Sequence, residues 1–180
     1  MKKIGTLGVL FSITVFASCI SVDAQTAWKT FTNRAGWSIH YPADWTVESC
    51  KGCTDPTASG VYVNFFPPPG LEAEGSVMVE PLADKPADVD VDTWLEEMPT
   101  RGNRNPLRRE TKITLNGSPA LKVRYRTDSG DDKEAVYVVS GSTTFGIEFS
   151  TEQPHVLLER LANYPAFKAM LQTFRLAAAT

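Results

Sequence analysis

Apolar and polar residues alternate over several segments in the first half of the chain, and this alternation predicts β-strands. Trp37, Ile39 and Tyr41 are separated by polar residues, which is the two-residue period of a half-buried strand. Another alternating segment ends at three consecutive prolines, which cannot continue a sheet ladder. The segments with this character are residues 28–31, 37–41, 45–47, 60–66 and 76–80.

The second half of the chain predicts an antiparallel meander. Asn116 and Gly117 separate two strand-like segments, and both residue types tolerate the positive φ angles of a two-residue hairpin turn. Short glycine-containing turns separate the later segments, and such spacings are typical of antiparallel neighbours. The predicted strands are residues 109–115, 120–126, 134–139 and 143–149.

Helix signals occur between the two groups of strands and after the second group. Thr93 and Glu96 have the spacing of a capping box, and so have Ser150 and Gln153. A final helix is predicted where apolar residues recur at i, i+3, i+4 and i+7: Phe167, Met170, Leu171 and Phe174. This order predicts an α+β fold, in which an antiparallel β-sheet of about six to seven strands is covered by helices on both faces.

The N-terminus has the pattern of an export signal. Two lysines precede an uncharged apolar run over residues 4–22, and small residues follow it. A signal peptide is therefore predicted over residues 1–24, with cleavage after Ala24. The remaining residues 25–180 suit a single domain, since that length leaves no room for a second core. A membrane anchor is the alternative, because the run approaches the length that spans a bilayer.

Cys19 offers a further interpretation of the same segment. Residues 16–19 resemble a bacterial lipobox, in which case a signal over residues 1–18 would be removed and Cys19 lipidated. Cleavage after Ala24 is favoured, because Phe16 replaces the leucine usual in a lipobox. Lipidation would tether the domain to a membrane, whereas cleavage after Ala24 would release it. Both interpretations predict an exported protein, periplasmic or extracellular.

Composition narrows the class of partner. The formal net charge of −3 argues against general nucleic-acid binding, which requires many contacts to phosphate. The apolar fraction of 42% and the charged fraction of 22% are ordinary and predict a folded domain. We expect a monomer that binds a protein partner in the cell envelope.

Cys50 and Cys53 form the sharpest chemical feature of the chain. A redox-active pair needs a thiol of lowered pKa, usually at the start of a helix, and no apolar helix pattern follows Cys53. In an oxidising compartment the pair is therefore expected to form a small structural disulfide. A thiol–disulfide redox pair is the alternative.

The sequence predicts no metal site and no cofactor. Zinc sites take four ligands, whereas the chain offers one cysteine pair and two histidines, His40 and His155. Asp88, Asp90 and Asp92 have the spacing of the first ligands of a calcium loop but lack its glycine and its closing glutamate. We interpret them as an acidic lead-in to a helix, where carboxylates favour the positive end of the helix dipole.

A basic segment is the best candidate for a partner surface. It could bind an anion or an acidic partner, although charge on a loop and an edge strand also discourages aggregation. Its residues are Arg101, Arg104, Arg108, Arg109 and Lys112. No hydrolase, phosphate-loop or dinucleotide motif is present, so catalysis is not expected.

A family resemblance rests on a glycine–aromatic strand that ends in Tyr-Pro-x-x-Trp. The motif residues are Trp37, Tyr41, Pro42 and Trp45. With the Asn-Gly hairpin and the closing helix, this motif resembles the PsbP-like superfamily over nearly the whole mature chain. The resemblance implies an α/β/α sandwich and a binding or assembly role, with no catalytic residues to carry over. Pro42 fixes a turn between two large side chains, so Tyr41 and Trp45 are expected in the core.

Three functions follow from these observations. The leading hypothesis is a non-enzymatic binding, assembly or accessory module of the cell envelope. The second is a thiol–disulfide redox protein that uses Cys50 and Cys53. The third is a carrier of a small apolar ligand, with Phe65 and Phe66 as candidate contacts.

Overall fold

A computed structural model describes most of the chain from residue 27 onward. The described residues are 27–49, 60–82, 85–86, 88–90, 93, 109–127, 129–140, 143–151 and 153–177. Within these ranges no helix is long and apolar enough to span a bilayer.

Seven strands form the larger of two sheets. They are β3 (Thr46–Ser49), β4 (Val63–Phe66), β5 (Ser76–Pro81), β6 (Arg109–Leu115), β7 (Ser118–Arg126), β8 (Asp132–Ser140) and β9 (Thr143–Ser150). Their order is β3-β4-β5-β9-β8-β7-β6, and every neighbouring pair is antiparallel. The predicted meander is therefore confirmed as β6 to β9.

A smaller sheet contains the first two strands of the described chain. Its strands are β1 (Trp28–Asn33), β2 (Trp37–Pro42) and β10 (Arg175–Leu176), with β2 in the centre. Trp37 and Ile39 of β2 are buried, while His40 is exposed, as the alternation predicted.

The register of the larger sheet separates its side chains into two faces, because residues paired directly across neighbouring strands share a face. Val79, Ile147 and Val136 lie in one row of what we call the core face. Leu121 and Tyr137 are paired on the opposite side, which we call the outer face.

Helix α1 (Tyr164–Thr173) covers the core face, and its predicted apolar stripe is confirmed. Phe167 stacks on Phe149 with ring centroids 5.3 Å apart. Phe174, directly after the helix, stacks on Trp37 of the smaller sheet at 5.9 Å. The core therefore lies between the larger sheet on one side and α1 with the smaller sheet on the other.

The hairpin between β6 and β7 also holds the end of α1. Asn116 and Gly117 have φ angles of +50° and +89°, as the sequence predicted for a tight turn. The side-chain amide of Asn116 donates a hydrogen bond of 2.6 Å to the carbonyl of Phe174. The carbonyl at the end of the helix, which also accepts from Arg175 Nη1 at 3.0 Å, thus gains a donor from a distant turn.

The helix predicted from Ser150 and Gln153 is absent, and that prediction was wrong. Ser150 ends β9, and the described residues between it and a short 3-10 turn at Leu158–Arg160 form no helix. Thr151 Oγ1 accepts a hydrogen bond from the Gln153 backbone and donates one of 2.8 Å to the carbonyl of Ala73. Ala73 lies in a second 3-10 turn, Glu72–Glu74. The Gln153 side chain, half of the supposed capping box, also donates a hydrogen bond of 3.0 Å to the Ala73 carbonyl, so it is engaged in holding these two segments together.

The outer face carries a second apolar cluster, formed mainly by β7 and β8 and joined by the connection after β5. Its buried members are Leu82, Leu121, Val123, Tyr125, Ala135 and Tyr137, and Val89 packs against them.

The described part of the chain places α1 over the core face only, so helices on both faces are not established. Of the helix predicted to start at the Thr93–Glu96 capping box, only Thr93 is described, and it donates to the Asp90 carboxylate.

Candidate functional site

A groove of about 480 Å³ lies on the outer face, over β6 to β8. Lys112, Leu121 and Tyr137 stand side by side in it, because the register pairs Lys112 with Leu121 and Leu121 with Tyr137. Val139, the next outward residue along β8, is 40% exposed. We call this feature the outer groove; Asp90 and Pro119 also line it.

Two opposite charges stand at the outer groove. Lys112 is exposed on β6, and Asp90 enters from the connection after β5. The Asp90 carboxylate accepts hydrogen bonds from the backbone and hydroxyl of Thr93, at 3.2 and 3.1 Å. This contact agrees with an acidic residue before a helix start. The groove thus combines an apolar floor with a cation that water can reach.

The structure describes only part of the predicted basic segment. Lys112 lines the outer groove, and Arg109 is the first residue of β6, with its side chain outside the description. Arg101, Arg104 and Arg108 lie outside the described residues. The basic segment therefore leads directly into β6, the strand that forms one wall of the outer groove.

The predicted cysteine chemistry also falls outside the described residues. Cys50 and Cys53 come after β3 in the sequence, and Cys19 lies within the predicted signal peptide. The disulfide, its redox alternative and the lipidation remain predictions. Among the described residues, no three His, Cys, Asp or Glu side chains are grouped to hold a metal ion.

The Tyr-Pro-x-x-Trp motif has a structural role. Trp37 and Trp45 are buried, with exposed fractions of 1% and 6%, and Tyr41 is half-buried against Phe65 at 5.2 Å. Pro42 ends β2, and its carbonyl accepts a hydrogen bond of 3.0 Å from the Trp45 backbone. The expected core position is thus confirmed for Trp45 and reached in part by Tyr41.

The indole N–H of Trp37 is buried and has no hydrogen-bond partner among the described residues. Its ring instead lies between Phe31 and Phe174, at 5.3 and 5.9 Å. Burying an unpaired N–H costs free energy, so the aromatic packing of this residue must outweigh that cost.

A network of ionised side chains lies on the core face at the end of β7 and β8, and it was not predicted from the sequence. Arg124 makes a bidentate ion pair with Glu159, whose Nη2–Oε2 distance is 2.9 Å. Arg126 Nε donates to Asp132 at 2.6 Å. The alternation of Arg124 and Arg126 along β7 was visible in the sequence, but Glu159, the partner of Arg124, is 35 positions away.

Several pKa values in and beside this network are shifted for identifiable reasons. The hydrogen bond from Arg124 lowers the pKa of Glu159 to about 2, and this bond in turn raises the pKa of Arg124. Burial raises the pKa of Tyr164, and the nearby Glu134 carboxylate adds to the increase. Tyr164 therefore remains a phenol and donates a hydrogen bond of 2.9 Å to Glu134. These contacts fasten the segment before α1 to the sheet and suit a structural role.

A second polar group lies on the outer face. The buried Glu148 carboxylate accepts hydrogen bonds of 2.9 Å from both Tyr125 and Lys133. Lys133 also lines a polar cavity of about 390 Å³, and half-buried Phe66 forms part of its wall. Phe65 is fully buried in the core, so only one of the two aromatic residues suggested for ligand contact reaches a cavity.

Comparison with solved structures finds similarity to several proteins, among them three from bacteria. For cyanobacterial PsbP (CyanoP) from Synechocystis sp. PCC 6803, the matched region covers 96% of this chain and 99% of that protein. The sequence identity is 13%, and the TM-score is 0.52. A protein from Bacteroides thetaiotaomicron covers 82% of this chain, with 14% identity and a TM-score of 0.49, and the chain spans only 48% of that protein. For PA94, a protein of unknown function from Pseudomonas aeruginosa, the matched region covers 85% of this chain and 99% of that protein. The sequence identity is 12%, and the TM-score is 0.45.

No protein-family model matches the sequence, and no curated protein matches it. The likeness to CyanoP extends over almost the full length of both chains, and at 13% identity it establishes the fold alone. It agrees with the resemblance that the sequence motif around Trp37 and Trp45 carries. The protein therefore has a PsbP-like fold.

Proposed function

We propose that the protein is a non-enzymatic binding or assembly module of the cell envelope, which recognises a protein partner at the outer groove. The observation that carries the proposal is the row of Lys112, Leu121 and Tyr137 across β6 to β8. An exposed cation beside apolar and aromatic side chains is the combination found where an interface has an apolar centre and a polar rim. Val139 extends the apolar surface to solvent.

The charge at the groove favours an acidic partner. Lys112 brings one positive charge to its rim, and the sequence places four arginines between positions 101 and 109, just before it. A cluster of cations steers an acidic surface toward the site and raises the association rate. The partner in this proposal therefore presents carboxylates next to an apolar side chain.

Export is part of the same proposal. Removal of residues 1–24 would release the domain into the periplasm or medium, whereas a lipid on Cys19 would hold it at a membrane. Mass spectrometry of the mature N-terminus distinguishes these forms: an N-terminal Gln25 supports release, and an acylated Cys19 supports the tether.

Reversal of the groove charge tests the proposal. We expect Lys112→Glu to reduce recovery of an envelope partner roughly fivefold in quantitative cross-linking and pull-down, because a rim charge of the wrong sign repels an acidic surface. Arg160→Glu makes the same change in net charge on the exposed 3-10 turn before α1 and is the matched control.

Circular dichroism should show that both variants are folded. Equal recovery of every partner by wild-type protein and the two variants would contradict the proposal. Equal losses in both variants would point to net charge rather than to the groove. Adding Arg108→Glu and Arg109→Glu asks whether the arginines before β6 extend the same surface.

A further inference from the structure

Strand β6 forms one edge of the larger sheet, and its outer side pairs with no other strand among the described residues. It is seven residues long, against four for β3 at the opposite edge. Glu110, Thr111 and Lys112 are exposed in its first half. An edge strand of this length is a template for a further strand.

The order of charges along β6 selects one way for the strand to pair with a second copy of itself. Two antiparallel strands related by a two-fold axis at Thr111 place Glu110 of each copy opposite Lys112 of the other. The pairs lie on the same face, since Glu110 and Lys112 are two residues apart on one strand. Opposite charges in directly paired positions stabilise a sheet.

The neighbouring registers lack this match. An axis at Glu110 places the two Glu110 carboxylates opposite each other, and an axis at Lys112 places the two ammonium groups opposite each other. Like charges in directly paired positions destabilise a sheet. The sequence of β6 therefore favours a single self-complementary register, centred on Thr111.

We propose that two copies of this chain associate through β6, antiparallel and centred on Thr111, so that two seven-stranded sheets join into one. Glu110 and Lys112 each also interact within their own chain, and the cross-strand pairs add to those contacts. Dimerisation replaces the monomer expected from the sequence. It goes beyond the proposed envelope partner and does not depend on it.

Charges on an edge strand commonly prevent association, and this alternative predicts a monomer at every concentration. The arrangement in β6 differs from a protective row of lysines, because its two signs are ordered so that a second copy meets the opposite charge. Sedimentation velocity of the purified protein over a concentration series at low salt distinguishes the two cases. We expect a concentration-dependent dimer that weakens as salt is added.

Charge exchange provides the decisive variants. Glu110→Lys leaves two lysines on the strand, and Lys112→Glu leaves two glutamates, so each variant alone should associate at least about tenfold more weakly than wild type. An equimolar mixture of the two variants restores opposite charges at both pairs and should form a heterodimer of wild-type affinity. The double variant E110K/K112E should also recover dimerisation. A misfolded variant could not be rescued by mixing, so this rescue isolates the pairing.

Wild-type protein that stays monomeric at all concentrations would overturn the proposal. So would a mixture of the two single variants that forms no heterodimer. The double variant separates this inference from the proposed function, because it keeps the dimer but lacks the Lys112 cation at the outer groove. If the double variant loses the envelope partner but still dimerises, the result concerns the proposed partner binding and leaves the dimer proposal intact.

Discussion

At the scale of single residues, the turn before β5 shows how closely the core approaches the backbone. Gly75 has φ +101° and ψ 153°, a conformation that is essentially restricted to glycine. A Cβ atom at this position would lie 2.7 Å from Cε2 of Phe149 and closer still to Cζ. Phe149 is fully buried and stacks on α1, so it has no room to withdraw. Both the backbone and the packing therefore require glycine here.

Gly75→Ala should reduce the free energy of unfolding by about 2–4 kcal/mol, because it adds overpacking against Phe149 to backbone strain. Gly70→Ala is the matched control: its φ is also positive, +92°, but nothing lies within 4 Å of the added carbon. Strain alone should cost the control about 1 kcal/mol. Urea unfolding measures both, and equal losses would show that Phe149 imposes no steric limit.

At the scale of elements, distant side chains fasten α1 and the segment before it to the larger sheet. Asn116 caps the end of the helix from the β6–β7 hairpin, and Arg124 holds Glu159 shortly before the helix begins. The hairpin, the strands and the apolar stripe of α1 were predictable, because each depends on residues within a few positions of one another. The ion pair and the cap were not predictable, because they depend on how separate elements pack.

The Arg124–Glu159 pair should contribute to stability in a pH-dependent way. Because the folded-state pKa of Glu159 is lowered to about 2, its contribution is present above the ordinary glutamate pKa and is lost as the pH falls toward 2. The carboxylate is more than half exposed, so the contribution at pH 7 should not exceed about 1 kcal/mol.

Glu159→Gln tests this dependence. Its unfolding free energy should be lower than that of wild type at pH 7, and the difference should shrink between about pH 5 and pH 2. Asp44→Asn, at an exposed turn after β2, is the matched control for the loss of one negative charge. A deficit for E159Q that stays constant down to pH 3 would assign its cost to packing rather than to ionisation.

At the scale of the whole molecule, Phe174 joins the two sheets. Its ring lies 5.9 Å from Trp37 of the smaller sheet and 6.5 Å from Phe145 of the larger one. A second aromatic bridge runs from Phe31 of β1 to Phe65 of β4, at 5.8 Å. The sheets share one apolar cluster and should unfold together.

Phe174→Ala should reduce the unfolding free energy by about 3–5 kcal/mol, because it opens a cavity between the sheets. Leu157→Ala is the control at a residue that is 47% exposed, and it should change stability by no more than about 0.5 kcal/mol. Tryptophan fluorescence and far-ultraviolet circular dichroism should give the same denaturation midpoint in wild type and in both variants. Separate midpoints for the two signals would mean that the sheets unfold independently.

The candidate site was predictable only in part. Lys112 was singled out from its charge, whereas the side chains beside it in the outer groove, Leu121 and Tyr137, looked like ordinary strand residues. Their grouping depends on the register of three strands, which brings positions 112, 121 and 137 into one row. The failed helix at Ser150 has the same origin, because its polar side chains are engaged by a distant turn.

Local signals along the chain account for strands β1 to β9, the Asn116–Gly117 hairpin and the apolar stripe of α1. These features follow from steric preferences and from the period of apolar residues, which act over a few neighbouring positions. The folded arrangement alone sets which polar groups meet, which face of the sheet α1 covers and which side chains line the outer groove. Those outcomes depend on register and on the packing of segments far apart in the chain, where one solution must satisfy burial and hydrogen bonding together.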